Sequence, residues 1–112
     1  MENKINIVRV CLKKEAEVYL NTGKIFGPEE AIKIFIDFLG SGTVERMGVI
    51  CLDSQHRATS YATIAMGNMD NVQVNLAELF KVALLSNARY IIVAHNHPSG
   101  VLTTTTFDLE LT

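Results

Sequence analysis

The sequence predicts a single-domain α/β (α+β) layer sandwich, and three observations carry that expectation. The 112 residues are 48% hydrophobic and 20% charged, the composition of one globular unit. Folding a chain of this size removes about two thirds of its extended surface from water, enough for one core. Strand-like and helix-like periodicities interleave along the chain without a repeat or a linker. One run, Met47 to Leu52, is almost continuously apolar between Glu45-Arg46 and Asp53-Ser54, as expected of a central strand covered on both faces.

Taken in order, Ile5 to Leu12 alternates weakly and is rich in Val and Ile, which predicts a first strand within an N-terminal extension over 1–27. A turn is expected at Asn21-Thr22-Gly23. Gly27-Pro28-Glu29-Glu30 reads as a helix start, with proline at the first helical position and acids in the first turn. Ile32, Phe35, Ile36 and Leu39 supply a stripe for the core, and Gly40-Ser41-Gly42 ends the helix. After Met47–Leu52, a turn at Asp53-Ser54-Gln55-His56 leads into a partner strand over Arg57 to Met66. Leu76, Leu79, Phe80, Ala83 and Leu84 then follow helical spacing, with Asn75 and Glu78 as an Asn-x-x-Glu capping pair. Tyr90 to Ala94 is a short strand leading into His95-Asn96-His97-Pro98-Ser99-Gly100, and a Thr-rich stretch opens a further helix around Phe107.

Charge and cysteines exclude several classes. A net charge of -2 argues against a domain that works by neutralising phosphates, so direct nucleic-acid binding is not supported. The basic doublet Lys13-Lys14 runs into Glu15 and Glu17 and reads as a solvated segment. No run approaches the roughly 20 apolar residues of a membrane helix. Asn6 and Arg9 interrupt the one stretch that resembles a signal core, and no export is expected. Cys11 and Cys51 both lie in apolar runs, where buried free thiols are expected and a reducing cytoplasm fits.

His95 and His97 stand two apart at the end of a strand, where alternate side chains share a face, so both imidazoles can address one metal. Asp108 follows eleven residues later, in the first turn of the expected helix, and the Pro98-Ser99-Gly100 turn can swing its carboxylate back as a third ligand. Two imidazoles and a carboxylate suit zinc, and three protein ligands leave a position for water. The bland reading is a polar strand end followed by a first-turn acid. Asp53 and His56 are ordinary turn residues.

The string from His95-Asn96-His97-Pro98-Ser99-Gly100 through Asp108-Leu109-Glu110-Leu111-Thr112 resembles the signature of the RadC family, a branch of the JAB/MPN superfamily with the JAMM zinc motif. Glu78 to Ala88 resembles the helix that precedes that signature, and the likeness extends from about Pro28 to the C-terminus. The resemblance implies a cytidine-deaminase-like three-layer sandwich with a mixed central sheet flanked by helices. It further implies that the family's domain continues past Asp108, so that this chain is C-terminally truncated. The family pattern is a distant Glu, His-x-His, seven residues, Ser, two residues and Asp. It implies one Zn2+ ion on His95, His97 and Asp108, with Glu45 as the distant general base for a zinc-activated water attacking an amide carbonyl. Glu78 is a competing base, although its capping role explains it without catalysis; Glu110 points elsewhere on its helix.

Three departures stand out. Thr105 replaces the family's serine but keeps a hydroxyl for a developing oxyanion, and Ser99 is a second hydroxyl nearby. Val101-Leu102-Thr103-Thr104 replaces the family's Asp-Pro-Thr-Pro, which loosens the loop. The family's helix-hairpin-helix region is missing. The implied activity is that of a zinc metallopeptidase or isopeptidase acting on a peptide or isopeptide substrate. The competing reading is a non-catalytic MPN-type module that binds a protein partner in DNA repair or mobile-element functions. Missing strands would leave an open sheet edge, so a homo-oligomer formed through an exposed strand is also expected.

Overall fold

A computed structural model of the chain describes residues 3–20, 23–39, 46–64, 72–96 and 102–109. Helix α1 covers Pro28–Leu39 and begins as the sequence predicts. Proline occupies its first position, and the Glu30 carboxylate reaches back to accept the Gly27 N–H at 3.0 Å, satisfying a donor that the helix leaves open. Its buried residues are Ala31, Ile34, Phe35 and Leu39. Ile36, expected in the stripe, is exposed instead, because Ile34 takes the inward position one turn before Phe38.

Strand β1 (Met47–Leu52), strand β2 (Ala58–Ile64), helix α2 (Val72–Leu85), strand β3 (Tyr90–Asn96) and strand β4 (Leu102–Asp108) follow. They build a four-stranded sheet in the order β2-β1-β3-β4. All three pairings are antiparallel, so the described sheet lacks the parallel pair that a mixed sheet implies. β1 is interior, and its residues from Gly48 onward are buried, which is why its apolar run is continuous.

Strand alternation sends Ile50, Leu52, Ile92 and Ala94 to one face, under Ile25, Ile34, Phe35 and Leu39. Val49, Cys51, Ile64 and Ile91 go to the other, under Leu79 and Ala83 of α2. The result is a three-layer α-β-α arrangement with a thin apolar core on each side of the sheet. Gly48 makes room for α1: a Cβ there would lie 2.7 Å from Tyr61 Oη and 3.1 Å from Phe35 Cε1.

The β1–β2 turn is held by Asp53, whose Oδ1 accepts the Gln55 and Arg57 N–H groups at 2.9 and 3.0 Å. His56 sits in this turn at φ 63°. Its ring stacks between Phe26 and Tyr90, with centroids 4.7 and 4.4 Å away.

Four expectations are corrected. Residues 3–20 are exposed and lack regular secondary structure, so Ile5–Leu12 is not a strand: no described sheet edge pairs with it, and an unpaired strand leaves its N–H and C=O groups to water. Cys11, on this arm, is exposed, while Cys51 is buried; both are free thiols. α2 starts at Val72, so Asn75 lies inside the helix and cannot cap it. The stretch expected to open a helix around Phe107 is β4, paired along its whole length with β3; four consecutive β-branched threonines suit the free edge that β3 offers. The turn at Asn21-Thr22, the helix end at Gly40-Ser41-Gly42 and the strand end at Ala65-Met66 lie outside the described residues.

Candidate functional site

His95 is the penultimate residue of β3, half-buried. It pairs across the sheet with Met47 on one side and Thr103 on the other. With Ile91 and Val93 it faces the α2 layer, to which Glu78, exposed on α2, also belongs. Thr105 pairs with Val93, so it shares the face of His95 as a diagonal neighbour about 7–8 Å away. Its side chain is exposed. Glu45, His97 and Ser99 lie outside the described residues.

Asn96, the middle residue of the His-x-His string, is the buried polar side chain of the described core, 4% exposed. Its Oδ1 accepts the Arg46 N–H, and its own N–H donates to the Arg46 carbonyl at 3.2 Å. This reciprocal pair ties the entrance of β1 to the exit of β3. Arg46 Nε is buried without a hydrogen-bond partner among the described residues. Sequence reasoning passed over Asn96 as a spacer. The signal was available: a residue that alternates with His95 must face the opposite side of the sheet, into the α1 core, where a polar side chain needs a partner.

Asp108 stands apart from His95. It pairs with Tyr90, five residues from His95 along β3, or about 17 Å at 3.4 Å per residue. Five is odd, so Asp108 also lies on the opposite face, the α1 side on which Tyr90 packs. There the Arg89 guanidinium donates to the Asp108 carboxylate and lies 5.0 Å from the centre of the Tyr90 ring. Zinc–ligand bonds are about 2 Å long, so His95 and Asp108 cannot hold one ion in this arrangement. Among the described residues, no three His, Cys, Asp or Glu side chains gather as a metal-holding group. The implied ligand set does not fit the hairpin as formed.

Two other polar groups carry perturbed acidity without joining the site. Burial pushes the Cys51 thiol up, against a hydrogen bond with Ser86 that acts the other way. Burial also raises the Tyr61 hydroxyl. No described helix is long and apolar enough to cross a membrane.

An antiparallel sheet between two helical layers, with His-x-His at the exit of a central strand, defines a small α+β domain of the JAB kind. The RadC-like JAB domain family matches residues 25–112, and the chain belongs to that family. It is 36% identical over 104 residues to a UPF0758 protein of Finegoldia magna, covering 93% of this chain and 45% of that one. A UPF0758 protein of Marinomonas sp. is 33% identical over 101 residues, covering 89% of this chain and 45% of that one. A UPF0758 protein of Acidithiobacillus ferrooxidans is 44% identical over 68 residues, 61% of this chain and 30% of that one. The chain therefore spans less than half the length of these curated relatives.

Proposed function

We propose that the chain supplies a zinc-dependent hydrolase site of JAMM type, directed at an amide or isopeptide bond, with His95, His97 and Asp108 as metal ligands and Glu45 as the proton-handling carboxylate. The observation that carries this reading is the Arg46–Asn96 pair. Glu45 is the chain neighbour of Arg46, and His97 is the chain neighbour of Asn96. Cross-strand partners lie about 4.5–5.5 Å apart at Cα, and each peptide adds about 3.8 Å. Glu45 and His97 are thus each one residue along the chain from a pair that the sheet holds together. The hydroxyl of Thr105, on the face of His95, and that of Ser99 are the proposed donors to a developing oxyanion.

The competing reading, a non-catalytic module that binds a protein partner, draws on the Arg89–Asp108 pairing, which occupies a carboxylate the metal would need. Metal analysis and turnover separate the two. The chain is expected to carry close to one zinc at neutral pH, retained in Glu45→Gln and lost in the double change of His95 and His97 to Ala. Zinc-loaded protein is expected to release new amine termini from a peptide and isopeptide library, at least about a hundredfold faster than Glu45→Gln. Bound zinc with equal, background release by both proteins establishes the module reading; a chain that takes up no zinc refutes the metal site.

A further inference from the structure

The exposed arm over 3–20 carries a strand pattern that the described sheet leaves unused. From Val8 to Leu20 the even positions are Val8, Val10, Leu12, Ala16, Val18 and Leu20, all apolar and exposed, with Lys14 as the exception. Arg9, Cys11, Lys13, Glu15 and Glu17 alternate with them, as in a strand with one covered face. A three-residue loop over Lys13-Lys14-Glu15 aligns Leu12 with Ala16, Val10 with Val18 and Val8 with Leu20. One face of the resulting β-hairpin is then wholly apolar, and Lys14 falls in the turn. The Lys14 ammonium already reaches the Glu17 carboxylate across that loop.

A hairpin by itself is marginal in water and needs a third strand. β2 offers one, because among the described strands it is paired on one side only. The chain that follows the arm is seated at its entrance: Lys24 bridges antiparallel to Arg57, and the Ile25 N–H donates to the His56 carbonyl at 2.8 Å. Ile25 is buried in the α1 core, so an extended chain leading into it turns its even residues to the α2 side. On β2, Ser60 pairs with Cys51 and Ala58 with Leu52, which makes Thr59 the extra residue of a bulge. Carrying the faces across that bulge sets Leu20 beside Ala62 and Val18 beside Ile64, both on the α2-side cluster. The apolar face of the hairpin thus meets the apolar side of the edge.

We infer that residues 8–20 are a strap, open in this structure, that closes as a β-hairpin on the β2 edge of its own sheet and bars that edge to a second copy. The tether favours this occupant. An arm joined to the edge at Lys24 meets it at an effective concentration on the order of millimolar, well above that of a second copy in dilute solution. Closure also pairs the row of free N–H and C=O groups that invites edge-to-edge association.

The test uses the chain's own cysteines. Cys11 is exposed and Cys51 buried, so a thiol-reactive nitroxide labels Cys11 in the folded, unaltered chain. In the closed strap Cys11 lies two strand spacings, about 10 Å, from the Thr63–Ile64 end of β2. The Thr63 and Ile64 amide signals are expected to broaden at least about tenfold more than those of β4, which lies three strands further on. The effect should be independent of concentration, and absent when nitroxide and isotope label sit on different copies. Val18→Asp is expected to abolish the focused broadening and, with the edge uncovered, to raise self-association in sedimentation. Broadening at Thr63 and Ile64 no stronger than at β4 overturns the strap. Broadening that passes only between copies overturns it too, and gives the edge to a second chain's arm. A Val18→Asp protein that opens yet stays as monomeric as the unaltered chain overturns the guarding role. The labelling of the unaltered chain stays decisive if the variant fails to fold.

Discussion

Replacing Gly48 with alanine tests how β1 is sealed against α1. The added Cβ would lie 2.7 Å from Tyr61 Oη and 3.1 Å from both Tyr61 Cε2 and Phe35 Cε1, so something must move. The tyrosine is poorly placed to yield. Its ring stacks on Phe38 at 4.4 Å and 20° and meets Phe35 edge-on at 6.2 Å; its hydroxyl shares a 3.1 Å hydrogen bond with Thr63. Overpacking of this kind costs about 1–3 kcal/mol. Losing a glycine from a strand offsets about 0.5–1 kcal/mol of that by restricting the unfolded chain. The expected net destabilisation is about 1–2 kcal/mol, read from urea unfolding by far-UV circular dichroism as a lower midpoint at unchanged slope. Two of the three close contacts belong to Tyr61, so the penalty should fall by at least about half in a Tyr61→Ala background. Equal stability of Gly48→Ala and the unaltered chain, or the same penalty in both backgrounds, would refute the packing argument.

Two further predictions concern the β1–β2 turn. His56 combines a left-handed backbone, φ 63°, with ring contacts to Phe26 and Tyr90, so His56→Ala should destabilise the fold by about 1–3 kcal/mol through the lost ring contacts, while the backbone strain that His56 already carries stays. His56→Gly should cost less, since glycine accepts that φ without strain; equal thermal midpoints for the two variants would remove the backbone contribution. Asp53 is held below its ordinary value of 3.8, first by the Arg57 N–H acting against desolvation, with the Gln55 N–H and the Arg57 side chain adding to the lowering. A depressed carboxylate contributes stability that is present above its unfolded value and lost as pH falls through its folded value. Asp53→Asn should therefore unfold with a shallower acid limb below about pH 4, and parallel curves for the two proteins would contradict the assignment.

What could be read in advance tracks how local each signal is. α1 carries its own start in Gly27-Pro28-Glu29-Glu30, and the observed Glu30 to Gly27 hydrogen bond is built within four residues. Met47–Leu52 reveals a strand buried on both faces by composition alone. The Ile5–Leu12 run has the same β-branched character, yet it forms no strand, because pairing needs a free edge in the right place and the run itself cannot say whether one exists. Alternation with His95 is enough to turn Asn96 inward but not to name its partner, because Arg46 lies fifty residues away.

By itself, then, the sequence determined the family, the alternation of layers and the two-sided burial of β1. These follow from residue types and spacings that act over a few positions. Only the tertiary structure decided which edge the Thr-rich segment would occupy. Four threonines and an aspartate satisfy a strand and a helix start about equally, and the open side of β3 settled the choice. That decision moved Asp108 to the far end and opposite face of the sheet from His95, into the reach of Arg89. No periodicity in residues 102–108 encodes that outcome, because it depends on the backbone hydrogen bonds of a strand laid down earlier in the chain.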